Sequence, residues 1–142
     1  MSQLVKNRIK TLARDGSSGV LSHGRKGVEK ESLRVFSDGR LADTPHPESL
    51  GSALTSPFIT TDFSEALLEF VSPAYETTWE TMRFLCEIHQ FTYDRIGDEL
   101  LWVTSMPCLI GNDKDIPLAH YGSSNVGAMK TIYRNGLSYR YG

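Results

Sequence analysis

Gly27-Val28-Glu29-Lys30-Glu31-Ser32-Leu33-Arg34-Val35-Phe36 is the stretch on which the fold turns. Side chains alternate along a β-strand, so Glu29, Glu31, Leu33 and Val35 share one face if this stretch is extended. Leu33 and Val35 call for a core, while Glu29 and Glu31 continue the same face with charge. A strand that passes from packed core into a polar cavity reconciles the two demands. Carboxylates one pleat apart repel each other unless protons, bases or a cation intervene. A solvated strand end is the ordinary alternative.

Working outward, Ser37-Asp38-Gly39-Arg40 has turn composition, so 28–36 and 40–43 are expected to form a hairpin. Pro47 opens a short helical turn reaching Leu50. His46, between two prolines, reads as a loop residue rather than a ligand. Upstream, residues 2–14 read as an amphipathic helix with Val5, Ile9 and Leu12 on one side and Ser2 as N-cap. Residues 58–72 are ambiguous. Asp62 followed by Glu65 resembles a helix cap, and 66–69 are good helix formers. A strand bounded by Pro73 would instead put Glu65, Leu67, Glu69 and Val71 on one face. Propensity alone leans to helix. Residues 77–96 read as the longest helix, with Trp79, Met82, Leu85, His89 and Ile96 on or near its apolar side, Phe84, Ile88 and Phe91 broadening it, and Gly97 as C-cap. Cys86, inside it, is expected to be a buried thiol. Residues 100–122 read as a loop-rich link, and 126–139 as a last helix capped by Ser123-Ser124-Asn125.

A chain of 142 residues is about one domain. Fifteen Lys and Arg against seventeen Asp and Glu leave a net charge of −2, so there is no basic footprint for nucleic acid. No apolar run is long enough to span a membrane, and residues 1–6 lack the apolar block of a secretory leader. Cys86 and Cys108 have neither metal-binding spacing nor a disulfide framework, which points to a reducing cytoplasm. There is no Ser/His/Asp or Cys/His arrangement and no Gly-rich loop ending in Gly-Lys. The carboxylates are the one constellation with a catalytic reading.

The motifs also fall in a recognisable order. Gly27 to Val35 is followed by Asp38-Gly39, by His46-Pro47-Glu48-Ser49-Leu50-Gly51-Ser52-Ala53-Leu54-Thr55, and by Ile59-Thr60-Thr61-Asp62-Phe63-Ser64-Glu65-Ala66-Leu67-Leu68-Glu69-Phe70. Then come Ser105-Met106-Pro107-Cys108, Ala119 to Asn125, Lys130 to Leu137 and Arg140-Tyr141-Gly142. Together they resemble bacterial glutamate–cysteine ligases of the proteobacterial type. That family's chains are several times longer, so residues 1–142 are read as the N-terminal portion of a ligase catalytic domain.

The resemblance implies an α+β fold, part of a glutamine-synthetase-like antiparallel β-sheet funnel with flanking helices. It makes 67–71 a strand against its local propensity, since pairing often overrides preference. It implies that Glu29, Glu31 and Glu69 hold magnesium, with manganese as a substitute. It places Asp62, Phe63, Tyr133 and Arg134 around the amino-acid pocket, and it assigns no residue here as catalytic acid, base or nucleophile. The implied substrates are ATP, L-glutamate and L-cysteine, joined to give γ-glutamylcysteine in the first step of glutathione biosynthesis. Neither nucleic acid nor membrane is an expected partner. A non-catalytic metal- or amino-acid-binding module, or a truncated remnant, is the competing reading. An unpaired sheet edge and an apolar inner face of Leu33, Val35, Leu67 and Val71 would favour self-association.

Overall fold

The computed structural model describes residues 2–14, 19, 23–120, 132–133, 135–136 and 139–140. In chain order they form α1 (Gln3–Arg14), β1 (Glu29–Val35), β2 (Ile59–Thr61), β3 (Leu67–Val71), α2 (Thr78–Tyr93) and β4 (Leu100–Leu101). Short 3-10 turns lie at Glu48–Leu50 and Asp113–Asp115. The four strands make one antiparallel sheet in the order β2-β3-β1-β4. This is the expected α+β class. The last helix expected at 126–139 lies for the most part outside the described residues. No described helix is long and apolar enough to cross a membrane.

Residues 67–71 are a strand, and burial explains why their helical propensity loses. Leu68 and Phe70, two positions apart, are both fully buried. On a helix they would point about 200° apart, so one of them would face water. On a strand they share a face, and that face is covered by α2. They join Leu50, Ile59, Ile88, Ile96 and Leu101 in the core, with Phe84 packed against it. The Asp62–Glu65 helix cap therefore does not form. β2 and β4 had no sequence signal of their own, being three and two residues long. The hairpin expected after β1 is only partly made. Phe36 N–H donates to Arg40 C=O and Gly39 N–H to Phe36 C=O, with Gly39 in the left-handed region at φ +85°. The pairing is the single Val35–Leu41 bridge, in which Ala42 N–H also donates to Arg34 C=O; on its outer edge the return leg pairs with Leu109, which accepts from Leu41 N–H and donates to Gly39 C=O.

α2 starts on a reciprocal cap. Thr77 Oγ1 accepts from Glu80 N–H at 3.2 Å, and the Glu80 carboxylate accepts from Thr77 N–H at 3.1 Å. Its C-cap is Asp94, and Gly97 closes the turn beyond. The helix is rotated toward the Phe84–Ile88 flank of the expected apolar side. Thr81, Ile88 and Thr92 are buried, whereas Trp79 is 75% and Met82 50% exposed. The two threonines tolerate burial because each hydroxyl donates to the carbonyl four residues back, Thr81 to Thr77 and Thr92 to Ile88. Rotation also exposes Cys86, against expectation; Cys108 is the buried thiol. His89 is a packed histidine, its Nδ1 2.6 Å from Leu85 C=O and its ring 4.7 Å from that of Phe70. α1 buries none of its residues among those described, and Leu4, Val5, Ile9 and Leu12 are all exposed.

Arg34 is the least expected occupant of the interior. It projects from β1 to the helix-covered side and is fully buried. Nη1 donates to Glu99 Oε2 at 2.6 Å and to Thr44 Oγ1 at 2.7 Å; Nη2 donates to Thr44 C=O at 2.7 Å and Glu65 C=O at 3.1 Å. Thr44 Oγ1 also donates to Glu99 Oε1. One cation thus fixes three loops to β1. Removing one member of a buried pair leaves the other charge without compensation. Glu99→Ala is expected to lower stability by about 3–5 kcal/mol, measured by urea denaturation of the 142-residue chain. The double replacement Arg34→Met, Glu99→Leu should recover a large part of that loss.

Burial holds His89 below the usual histidine range, with the charge of Lys30 acting in the same direction, and burial does the same to His46. Both histidines are therefore more easily protonated in the unfolded chain, so acid favours unfolding. The melting temperature should fall as pH drops from about 7.5 to 5.5, through the ordinary histidine range. His89→Gln should flatten that slope in thermal melts run across the window.

Candidate carboxylate site

The pleat of β1 sorts its charges. Lys30, Ser32 and Arg34 lie on the side covered by α2, and Glu29, Glu31 and Leu33 lie on the other. In the β1–β3 register Glu31 stands opposite Glu69, Glu29 opposite Val71, and Leu33 opposite Leu67. In the β2–β3 register Thr60 stands opposite Glu69. One row across the sheet therefore reads Glu31–Glu69–Thr60.

Hydrogen bonding at the two ends fixes how close that row is. Ser72 N–H donates to Val28 C=O, and Arg34 N–H donates to Ala66 C=O. Counting inward by twos makes 30–70 and 32–68 hydrogen-bonded pairs, so 31–69 is the narrow, non-hydrogen-bonded kind. Such Cα atoms are roughly 4.5 Å apart and their side chains are close. The start of β1 is equally tight. Val28 N–H donates to Ser72 Oγ at 2.8 Å, and a Cβ at Gly27 would lie 3.3 Å from Ser72 C=O. Glycine there lets the two chains approach and pins the register.

The face that carries these carboxylates is open. Glu29 and Glu31 are exposed, while Glu69, Leu33, Leu67 and Val71 are half-buried. The expected passage is there along this one face, from buried Val35 through half-buried Leu33 to exposed Glu31 and Glu29, but it ends on an open surface rather than in a cavity. Among the described residues no three His, Cys, Asp or Glu side chains, as placed, converge closely enough to close around a cation. The backbone nevertheless brings three hard oxygen donors from two paired strands to one face. That donor set suits magnesium, which takes a few carboxylates and fills its shell with water and phosphate oxygens.

Asp62 and Phe63 sit in the turn joining β2 to β3. Asp62 N–H donates to Leu67 C=O at 3.1 Å, extending the β2–β3 register by one pair and setting Asp62 on the same side as Thr60 and Glu69. Phe63 meets Tyr133 edge to face, the ring centroids 6.0 Å apart. Two of the four expected pocket residues therefore share one turn, and a third touches it. Arg134 lies outside the described residues. Sequence reasoning missed Glu65, which is buried at 7% exposure. Its Oε1 accepts from His46 N–H at 2.9 Å and its Oε2 from His120 N–H at 2.6 Å. Thr60 was likewise unforeseen; its hydroxyl donates to Ala53 C=O at 2.8 Å. Neither role has a local signal, because both depend on which loops come alongside.

Known proteins match this chain in sequence and in fold. A family model described as glutamate-cysteine ligase matches residues 9–142. A glutamate–cysteine ligase of Alcanivorax borkumensis is 56% identical over 138 residues, 97% of this chain and 26% of that protein. One from Yersinia enterocolitica is 57% identical over 118 residues, 83% of this chain and 23% of that protein. The chain thus spans about a quarter of the length of the curated relatives it matches. The crystal structure of a glutamate–cysteine ligase from Francisella tularensis in complex with AMP overlays with a TM-score of 0.75 at 45% identity, covering 84% of this chain and 24% of that one. A bifunctional glutathione synthetase from Pasteurella multocida overlays with a TM-score of 0.76 at 31% identity, covering 87% of this chain and 16% of that one.

Like charges directly across a strand pair destabilise it. Glu31→Gln keeps the shape and removes one charge of the narrow pair. Without divalent cation it should raise stability by about 0.2–1 kcal/mol, read as a higher melting temperature in chelator-treated buffer.

Proposed function

Because the chain belongs to the glutamate–cysteine ligase family, we propose that it supplies the cation-binding carboxylates of an enzyme that joins the γ-carboxyl of L-glutamate to the amine of L-cysteine at the expense of ATP. The observation that carries this reading is the row itself: Glu31 faces Glu69 in the narrow pair, with Glu29 on the same face. A fold gains nothing from facing two carboxylates across a strand pair, so such an arrangement is in keeping with a cation that compensates them.

In this reading Glu29, Glu31 and Glu69 hold magnesium, or manganese in its place. The bound cation supplies neutralisation of phosphate charge where an anionic carboxylate must approach a triphosphate. The chain's own residues do the rest by placement. Asp62 and Phe63, on the turn beside the carboxylates, border the amino-acid pocket, and Tyr133 and Arg134 complete its edge. Phe63 and Tyr133, in edge-to-face contact, give that edge an aromatic side. No side chain here is needed as an acid, base or nucleophile, because the glutamate carboxylate and the cysteine amine are themselves the nucleophiles. The Francisella relative was crystallised in complex with AMP, which supports a nucleotide substrate for the whole enzyme. Residues 1–142 are read as the N-terminal portion of the catalytic domain, acting in the cytoplasm, with no nucleic acid or membrane partner. β2 and β4 are the outer strands of the described sheet, a position that favours self-association.

The test has two arms. Magnesium should raise the melting temperature of the parent chain, by up to roughly 2.7 kcal/mol of stabilisation at a hundredfold excess over Kd, and Glu31→Gln should shrink that rise. In a full-length ligase carrying this segment, Glu31→Gln should lower ATP-dependent formation of γ-glutamylcysteine by about a hundredfold or more. The segment alone should form little product, since charged groups that stabilise one transition state act as a unit. A parent indifferent to millimolar magnesium, together with a full-length Gln variant of parental activity, overturns the reading.

A further inference from the structure

We infer that Glu65 is a positioning residue for the amino-acid pocket, its buried carboxylate tying the Asp62–Phe63 turn to two separate loops. The inference rests on the functional reading above, since it concerns the same pocket. Glu65 follows the turn directly and precedes β3. Oε1 takes the His46 N–H and Oε2 the His120 N–H, so each oxygen is committed to a different loop. Its main chain is held as firmly: Glu65 N–H donates to Pro117 C=O at 2.9 Å, and Glu65 C=O accepts from Arg34 at 3.1 Å. Around it, Ser64 Oγ donates to Pro117 C=O at 2.9 Å and Ala119 N–H to Phe63 C=O at 3.0 Å.

Two features separate this role from plain structural support. First, the carboxylate bonds only to backbone amides of loops; the core of Leu50, Ile59, Leu68, Phe70, Ile88, Ile96 and Leu101 does not include it. Second, the segment it fixes, 117–120, leads on toward the part of the chain that carries Tyr133, whose ring already meets Phe63. A carboxylate is the right group for the task. It accepts from both amides at once, and charge-assisted bonds of this kind are stronger and shorter than neutral ones. A glutamine offers one oxygen and one NH2, and the NH2 would point at an amide that also donates.

The experiment uses a full-length ligase carrying this segment, with Glu65→Gln and Glu65→Asp, and compares steady-state constants for each substrate. For Glu65→Gln, KM for one or both amino acids should rise about tenfold, the scale of one lost charge-assisted bond, while kcat and KM for ATP change less than about threefold. Glu65→Asp keeps the charge but is one methylene shorter, and should show a smaller rise in the same KM. Parental constants in both variants overturn the inference. So does a parallel loss across ATP and amino acids, and so does failure of both variants to fold, which would make Glu65 a support of the whole fold. A parent enzyme that forms no γ-glutamylcysteine overturns the functional reading instead, so the two failures are distinguishable.

Discussion

A guanidinium sealed away from water is the constraint around which this structure is built. Arg34 cannot shed its charge, and moving it from water to the interior is costly unless every nearby acceptor is in place. Glu99, Thr44 and the Glu65 carbonyl, from three different loops, take both terminal nitrogens, while the buried Nε has no hydrogen-bond partner among the described residues. Three stretches far apart in sequence are thereby tied to β1 at a single point. Hydrophobic burial of Leu68, Phe70 and Ile88 supplies most of the stabilisation, but it is non-directional. The Arg34 network supplies direction.

That network also explains the placement of the acidic face. β1 carries both signs of charge, and its pleat separates them. The cations Lys30 and Arg34 lie under α2, and the carboxylates Glu29 and Glu31 face the other way. A strand is the simplest device for such sorting, since neighbours in sequence are forced apart in space. Three acidic side chains then stand on a surface flanked by the half-buried Leu33, Leu67 and Val71. The apolar flanks lower the local dielectric and strengthen whatever ionic contacts are made there.

How much of this could be read beforehand depends on range. Period-2 alternation in 29–35 gave β1 and its shared face directly, and the Thr77–Tyr93 region read as helix from its composition. The strand at 67–71 did not follow from its own residues: Ala66, Leu67, Leu68 and Glu69 all favour helix, and only pairing on both sides and a covering helix reverse them. The buried side of α2 was misjudged because Thr81 and Thr92 look polar, yet each spends its hydroxyl within the helix and packs as a small apolar group. Of the candidate site, Glu29 and Glu31 were legible from the strand. The partnership of Glu31 with Glu69 depends on a register set by distant residues at Gly27, Val28 and Ser72. Glu65 looked like a helix cap because its true partners, His46 and His120, are 19 and 55 positions away.

The narrow Glu31–Glu69 pair has a consequence for how the sheet assembles. Slide β3 by one residue along β1 and every side chain of the strand changes face. Glu69 would enter the space under α2, beside His89 and the other core side chains, while Leu68 and Phe70 would be thrown into water. A neutral polar residue at 69 would make that slip cheaper, because burying it costs far less than burying a carboxylate. Glu69 thus guards the pairing: the native register leaves a modest repulsion on an open face, whereas the nearest wrong one would bury a carboxylate, which costs far more.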